Sequence, residues 1–215
     1  MYIKKIFLFI PAISLIITIN SSVLLSQNKP VIKDPRNNWS MGLSYSERGF
    51  GPSFSYFIPS GKSTDLFLNL SVSGVSDSRE FERTDFYGNA IPVQNKINRV
   101  FMSTLSFGMR KELFKDDIEG EFLPIFNIGI SPSMIFMNPY DQNFFSALGR
   151  TTTSFGLGGF TGLGVSFRQS RDMSINFNLS YYYIKVVGNE VESIRDNPID
   201  NIGGVQLGFA INFMR

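Results

Sequence analysis

The sequence predicts an all-β fold: an eight-stranded antiparallel up-and-down transmembrane β-barrel. Three observations predict it. Eight segments alternate large apolar residues with small or polar ones, the period-two mark of a strand with two unlike faces. The second face of those segments is Ser, Asn and Gly, with few charges at mid-strand. The connections between the segments alternate long and short.

Composition bounds the reading. The chain has 215 residues, enough for one domain of ordinary size. It is 43% hydrophobic and contains 22 Phe, yet its mean hydropathy is only +0.02. Apolar content is therefore spread as alternation. Beyond the N-terminus no apolar run reaches the roughly 20 residues that a membrane-crossing helix needs.

The first residues read as a signal peptide over 1–26. Lys4-Lys5 is a short basic start, Ile6 to Ile19 an apolar core, and Asn20-Ser21-Ser22 opens a more polar tail, with cleavage expected after Ser26. An N-terminal membrane anchor is the alternative, with an apolar core short for a span. Residues 27–38 are expected to form a periplasmic lead-in and 39–215 the barrel. The absence of Cys excludes a lipoprotein anchor, disulfides and thiolate metal sites. A net charge of +2 with scattered Lys and Arg argues against a nucleic-acid partner.

The first segment, 39–46, sets Trp39, Met41, Leu43 and Tyr45 against Ser40, Gly42, Ser44 and Ser46. The second, 50–58, places Phe50, Phe54, Tyr56 and Ile58 opposite Gly51, Ser53 and Ser55. In the third, 65–74, Leu66, Leu68, Leu70 and Val72 oppose Asn69, Ser71 and Ser73. The fourth, 99–110, sets Phe101, Leu105, Phe107 and Met109 against Thr104, Ser106 and Gly108. The fifth, 122–133, is the least regular. It carries Pro124 and Pro132, and its apolar face is Phe122, Phe126, Ile128 and Ile130.

Segment six, 153–167, sets Phe155, Leu157, Leu163, Val165 and Phe167 against Gly156, Gly158, Gly162, Gly164 and Ser166. The seventh, 173–183, is the cleanest, with Met173, Ile175, Phe177, Leu179, Tyr181 and Tyr183 against Ser174, Asn176, Asn178 and Ser180. The last, 205–213, alternates almost to the end of the chain through Val205, Leu207, Phe209, Ile211 and Phe213.

The second face decides the class. A soluble sheet turns charged residues to water, and a solvent-facing surface this poor in charge is a solubility liability. As a narrow lumen, small polar side chains pack and hydrogen-bond one another, and the apolar face meets lipid. The alternative is a soluble, exported barrel with the large residues turned inward around an apolar ligand.

The connections 75–98, 134–152 and 184–200 are long and share one end, while 59–64, 111–121 and 168–172 are shorter and share the other. Only the 46–49 hairpin breaks the rule. Long extracellular loops and short periplasmic turns are the pattern of bacterial barrels. Aromatics at strand ends, among them Trp39, Tyr45, Tyr181, Tyr183, Phe167 and Phe213, fit interfacial girdles.

Several motifs have bland readings. Ser60-Gly61-Lys62-Ser63-Thr64 resembles the end of a phosphate-binding loop, but Tyr56 stands where its first Gly belongs and a strand follows. The run from Gly156 to Gly164 misses the dinucleotide spacing at Thr161 and reads as close strand approach, with a small cleft beside it as the alternative. The mixed charges Asp77, Arg79, Glu80, Glu82, Arg83 and Asp85 and the acidic Glu190, Glu192, Asp196 and Asp200 read as solvated loops. The acidic set has no defined ligand spacing for a cation. No metal site or cofactor is expected. The chain has no His and no Cys, so the usual general base and thiol nucleophile are missing, and no enzyme activity is expected.

From Trp39 onward the chain resembles the small outer-membrane β-barrels, the OmpA-, OmpX- and OmpW-like group and its porin-like relatives. The resemblance rests on strand pattern and on the C-terminal strand. It implies outer-membrane lipid as surroundings and insertion by the barrel-assembly machinery, which reads a C-terminal signal at Val205, Leu207, Phe209, Ile211 and Phe213. Here Met214-Arg215 trails the terminal aromatic, a departure from the family's ending. Two functions follow as expectations. In one, the barrel is a scaffold whose loops contact a surface or envelope protein through Phe81, Phe86, Tyr87, Tyr140, Phe144 and Phe145. In the other, it is a narrow passive channel for small or hydrophobic solutes, lined by Phe57, Phe67, Gly156, Gly158, Phe160, Gly162 and Gly164. No charged constriction ring is expected.

Overall fold

Alternation becomes strands over nearly every segment where it was read. The computed structural model describes residues 37–47, 49–77, 80, 83–87, 90–91, 93–115, 117–118, 121–170 and 172–214. The predicted signal peptide and most of the lead-in lie outside the described residues. The barrel wall is β1 (Asn38–Ser46), β2 (Gly49–Pro59), β3 (Thr64–Val75), β6 (Asn98–Glu112), β7 (Phe122–Ile130) with β8 (Ser133–Pro139), β9 (Thr152–Arg168), β10 (Met173–Val186) and β13 (Asn201–Met214). The remaining strands are short hairpins within the long loops: β4 (Arg83–Thr84) with β5 (Ala90–Ile91), and β11 (Glu192–Ile194) with β12 (Asn197–Pro198).

All wall pairings are antiparallel between sequence neighbours, and β1 pairs with β13, from Asn38 opposite Met214 to Ser46 opposite Gln206. That pairing closes the ring. Closure leaves no open edge in the wall, the condition for crossing lipid with strands.

β7 and β8 are one strand interrupted at Pro132. Ile130 lies opposite Phe107 and Ser133 opposite Thr104, so the register runs through without a shift. Leu105 N–H still donates to Pro132 O at 3.0 Å, and only the return bond is lost, because proline has no N–H. The fifth strand therefore extends to Pro139, beyond the Ser133 boundary expected from sequence. The proline hid a continuous ladder. The connection after it shortens to 140–151, and the next long connection to 187–200.

Met41, Leu43, Leu68, Leu70, Phe107, Leu163, Leu179 and Leu207 are exposed on the outer wall, and the rest of the alternating apolar face is exposed or half-buried there. Ser40, Ser106, Asn127, Asn176 and Asn212 are buried inside it. The orientation is apolar-out. The soluble alternative, with the large residues turned inward, is not the one observed. At the short-turn end the outer aromatics form a belt: Trp39 stacks on Phe213 at 4.5 Å, and Phe122 meets Phe167 edge-on at 5.5 Å.

Candidate functional site: a partitioned lumen under a fastened lid

Inward residues divide the lumen into levels. Nearest the short turns is a small vestibule lined by Asn38, Glu112, Arg168, Ser174 and Asn212, with Arg110 as its floor. Arg110 also lines the chamber above, so its side chain separates the two spaces. Its Nη2 donates to Asp65 Oδ2 at 2.7 Å, and its Nε to the same oxygen at 3.3 Å. The guanidinium lies 3.9 Å from the Phe57 ring centroid. A buried guanidinium is tolerable here because carboxylate and ring face compensate for lost hydration.

The partition continues as an aromatic row. Phe57 lies 5.7 Å from Phe67, and Phe67 lies 6.0 Å from Phe160. Phe67, Gly108, Gly129 and Phe160 are register neighbours across β3, β6, β7 and β9. A Cβ on Gly108 would stand 2.8 Å from the Phe67 ring, and one on Gly129 2.8 Å from the Phe160 ring. The two glycines make room for the two rings, which lie across the lumen floor.

Above the partition is a chamber of ≈ 170 Å³. A pocket for a drug-sized ligand needs roughly 300 Å³ or more. Its wall is knitted by small polar side chains: Asn69 Nδ2 donates to Ser55 Oγ at 2.7 Å, Asn127 Nδ2 to Asn178 Oδ1 at 3.1 Å, and the Ser106 and Ser131 hydroxyls meet at 2.9 Å. This is the hydrogen-bonded filling that the Ser and Asn face required.

Toward the long loops the lumen turns apolar. Val75, Val100, Met102, Ile135, Met137, Tyr182, Ile184 and Ile202 form one buried cluster with Val191 and Ile199 of the 187–200 loop. Tyr182 donates its hydroxyl hydrogen to Ser46 Oγ at 3.2 Å. The loop thus inserts two apolar residues as a stopper.

A polar clasp fastens that loop to the 76–97 connection. Lys96 Nζ is 2.6 Å from Glu80 Oε2, and Ser193 donates to Glu80 Oε1. Asn197 Nδ2 donates to Asp77 Oδ2 at 2.7 Å, and Asn98 Nδ2 to Glu192 O at 2.8 Å. Backbone bonds join Ile97 N to Ser193 O at 2.8 Å and Arg195 N to Asn95 O at 2.9 Å. Asp196, at φ 57°, makes the tight turn between β11 and β12. Burial pushes the Glu80 carboxyl up, but the hydrogen bonds from Lys96, Ser193 and the Asp77 region, with the Lys96 charge, outweigh it and hold it below the usual carboxylate range. Glu80 and Asp77 are therefore clasp residues, although they read as solvated charges in the sequence.

The residues singled out in the sequence separate into groups. Phe57, Phe67 and Phe160 line the chamber. Gly156, Gly158, Gly162 and Gly164 face inward but line no open space. A Cβ on Gly156 would stand 2.7 Å from Ile184 Cγ2, one on Gly158 would strike the Tyr183 carbonyl, and ones on Gly162 and Gly164 would strike Ser180 Oγ and Asn178 Oδ1. They let β9 and β10 pack closely, as glycine on a barrel strand does.

Of the six loop aromatics, Phe81 lies outside the described residues. Phe86 and Tyr87 project almost free, 98% and 86% exposed, and meet edge-on at 5.7 Å. Tyr140 lies under Arg99 at 4.6 Å and Lys96 at 5.4 Å. Phe144 and Phe145 lie near Phe101, whose side is the outer wall. Phe86 and Tyr87 form one pair and Phe144 and Phe145 another, with Tyr140 held separately beneath the cations. Val205, Leu207, Phe209, Ile211 and Phe213 lie along the outer face of β13. The lumen does hold one buried ion pair, Asp65 and Arg110, which the sequence reading did not single out. Alternation hid them, because each stands at an inward position near a strand end. No group of three or more His, Cys, Asp or Glu converges as a metal site among the described residues.

Solved structures supply the comparison. The N-terminal β-barrel domain of Pseudomonas aeruginosa OprF matches with a TM-score of 0.50 at 9% identity, covering 84% of this chain and 97% of that one. The chain's fold is that of the small outer-membrane barrels. Neisserial surface protein A matches with a TM-score of 0.49 at 12% identity over 84% of this chain and 95% of that one. The Pseudomonas aeruginosa outer membrane protein OprG matches with a TM-score of 0.47 at 11% identity over 84% and 97%. No family model matches the sequence. No curated protein matches it either.

Proposed function

We propose that this chain is a non-enzymatic outer-membrane protein, a closed barrel that presents its long loops for contact with an envelope or surface protein. The observation that carries the reading is a lumen obstructed at two levels: the Asp65–Arg110 and phenylalanine partition below, the apolar stopper and clasp above. An eight-stranded wall leaves an interior about wide enough for its own side chains, so such obstructions suit a strut better than a wide pore. The Phe86–Tyr87 pair, exposed at a loop tip and braced by a fastened lid, supplies contact area of the type enriched at protein interfaces. Outer-membrane lipid surrounds the apolar belt, and β13 is the strand offered to the barrel-assembly machinery.

Planar-bilayer recording of the refolded protein tests the scaffold reading. The scaffold predicts no steady conductance, and regular open-channel steps would refute it. A second reading, a narrow passive channel, draws on one observation, the polar chamber between partition and stopper. It requires both to open, and Arg110→Ala with Phe160→Ala would then raise conductance several-fold over the parent.

A further inference from the structure

We propose that the Phe144–Arg150 segment is a membrane-interface foot, seated at the headgroup–acyl boundary of the leaflet on the long-loop side. The proposal rests on the outer-membrane reading above. It begins with an outward polar residue that is buried. Met137 pairs with Val100 and both belong to the lumen cluster, so their strand neighbours Asn138 and Arg99, themselves paired, face outward. Asn138 is nevertheless only 2% exposed.

The connection 140–151 covers it. Asn138 Nδ2 donates to Phe144 O and to Thr151 Oγ1, each at 3.4 Å. Arg99 Nη1 donates to Pro139 O at 3.0 Å and Gln142 O at 3.1 Å. This loop therefore lies along the outside of the wall, while the 187–200 connection inserts Val191 and Ile199 into the mouth.

The short helix Phe144–Ala147 and the 3₁₀ turn Leu148–Arg150 then present two unlike sides. Ala147 is completely buried, whereas Phe145 is 83% and Leu148 53% exposed. Phe144 meets Phe101 edge-on at 5.8 Å, and Phe101 lies on the same outer face as Leu105 and Phe107. The exposed apolar surface of the foot is thus continuous with the lipid-facing belt. From Gln142 to Thr151 there is no carboxylate, and Arg150 is exposed at the end of the turn. Apolar side chains beside a basic one form the pattern of a segment lying in an interface with phosphate-bearing lipid. Continuity with the belt favours lipid over a protein partner here.

The chain's single Trp makes the test direct. Trp39→Phe with Phe145→Trp reports from the foot, and Trp39→Phe with Phe86→Trp from the free loop tip. Both are folded into vesicles of phosphatidylcholine and phosphatidylglycerol brominated near the carbonyl end of the acyl chain. The foot predicts blue-shifted emission and several-fold quenching by bromine at position 145, with neither at position 86. Water-like, unquenched emission at 145 overturns the proposal, as does equal quenching at both positions. A retained mobility shift between unheated and boiled samples shows that the barrel itself is inserted, so failure of the foot is distinguishable from failure of the membrane reading. Should Trp39→Phe impair folding, Phe145→Cys carrying an environment-sensitive dye gives the same reading, because the chain has no other Cys.

Discussion

Arg110 sits inside the barrel with its guanidinium on Asp65 and over Phe57. Arg110→Ala removes the cation from a buried carboxylate, which costs about 3–5 kcal/mol when the partner stays ionised. Urea unfolding in vesicles should show that loss for Arg110→Ala, and a smaller one for Arg110→Ala with Asp65→Asn. Equal losses would mean that the pair's charge is irrelevant. Gly129 tests the aromatic row in the same way. A methyl there collides with the Phe160 ring and a cross-strand carbonyl, and overpacking of this kind costs about 1–3 kcal/mol. Gly129→Ala should unfold at lower urea, with Phe160→Leu recovering part of the difference.

The clasp between the 76–97 and 187–200 connections belongs to the scale of elements, and its stability depends on pH. Glu80 is held below the usual carboxylate range when folded, so it binds fewer protons in the clasped state than in the released state. The clasp is therefore fully fastened above the ordinary carboxylate range. It loosens as pH falls through that range toward the depressed folded value. Protection of the Ile97 and Arg195 amides, taken relative to their intrinsic exchange rates at each pH, should fall on that acid side, and Glu80→Gln should abolish most of the fall. Protection that stays flat across the range would dissociate Glu80 from the lid.

The wall strands were legible in the sequence because each residue along a strand must face either the outside of the wall or the lumen, and period two records that choice. The fifth strand was half hidden, since Pro132 resembles a terminator even where only one ladder bond is missing. The lid was not legible. Ser193 reaches Glu80, and Asn197 reaches Asp77, only through the ring closure that brings distant connections together, and no local spacing announces them. The lumen phenylalanines were visible as off-phase apolar residues, but their glycine partners on neighbouring strands appear only once register is known.

The whole molecule joins an apolar exterior to an obstructed polar interior. The lumen departs from an aqueous pore at both ends, so the protein should support no steady current when refolded into bilayers. The central claim, that the alternating large residues face lipid, is tested most directly by a heat-modifiability gel on outer membranes from a Gram-negative host expressing the chain. The expected result is a membrane-fraction protein whose unheated band migrates differently from the boiled one, because a closed barrel withstands SDS until heated. Recovery in the soluble periplasmic fraction, with no shift on boiling, would contradict it.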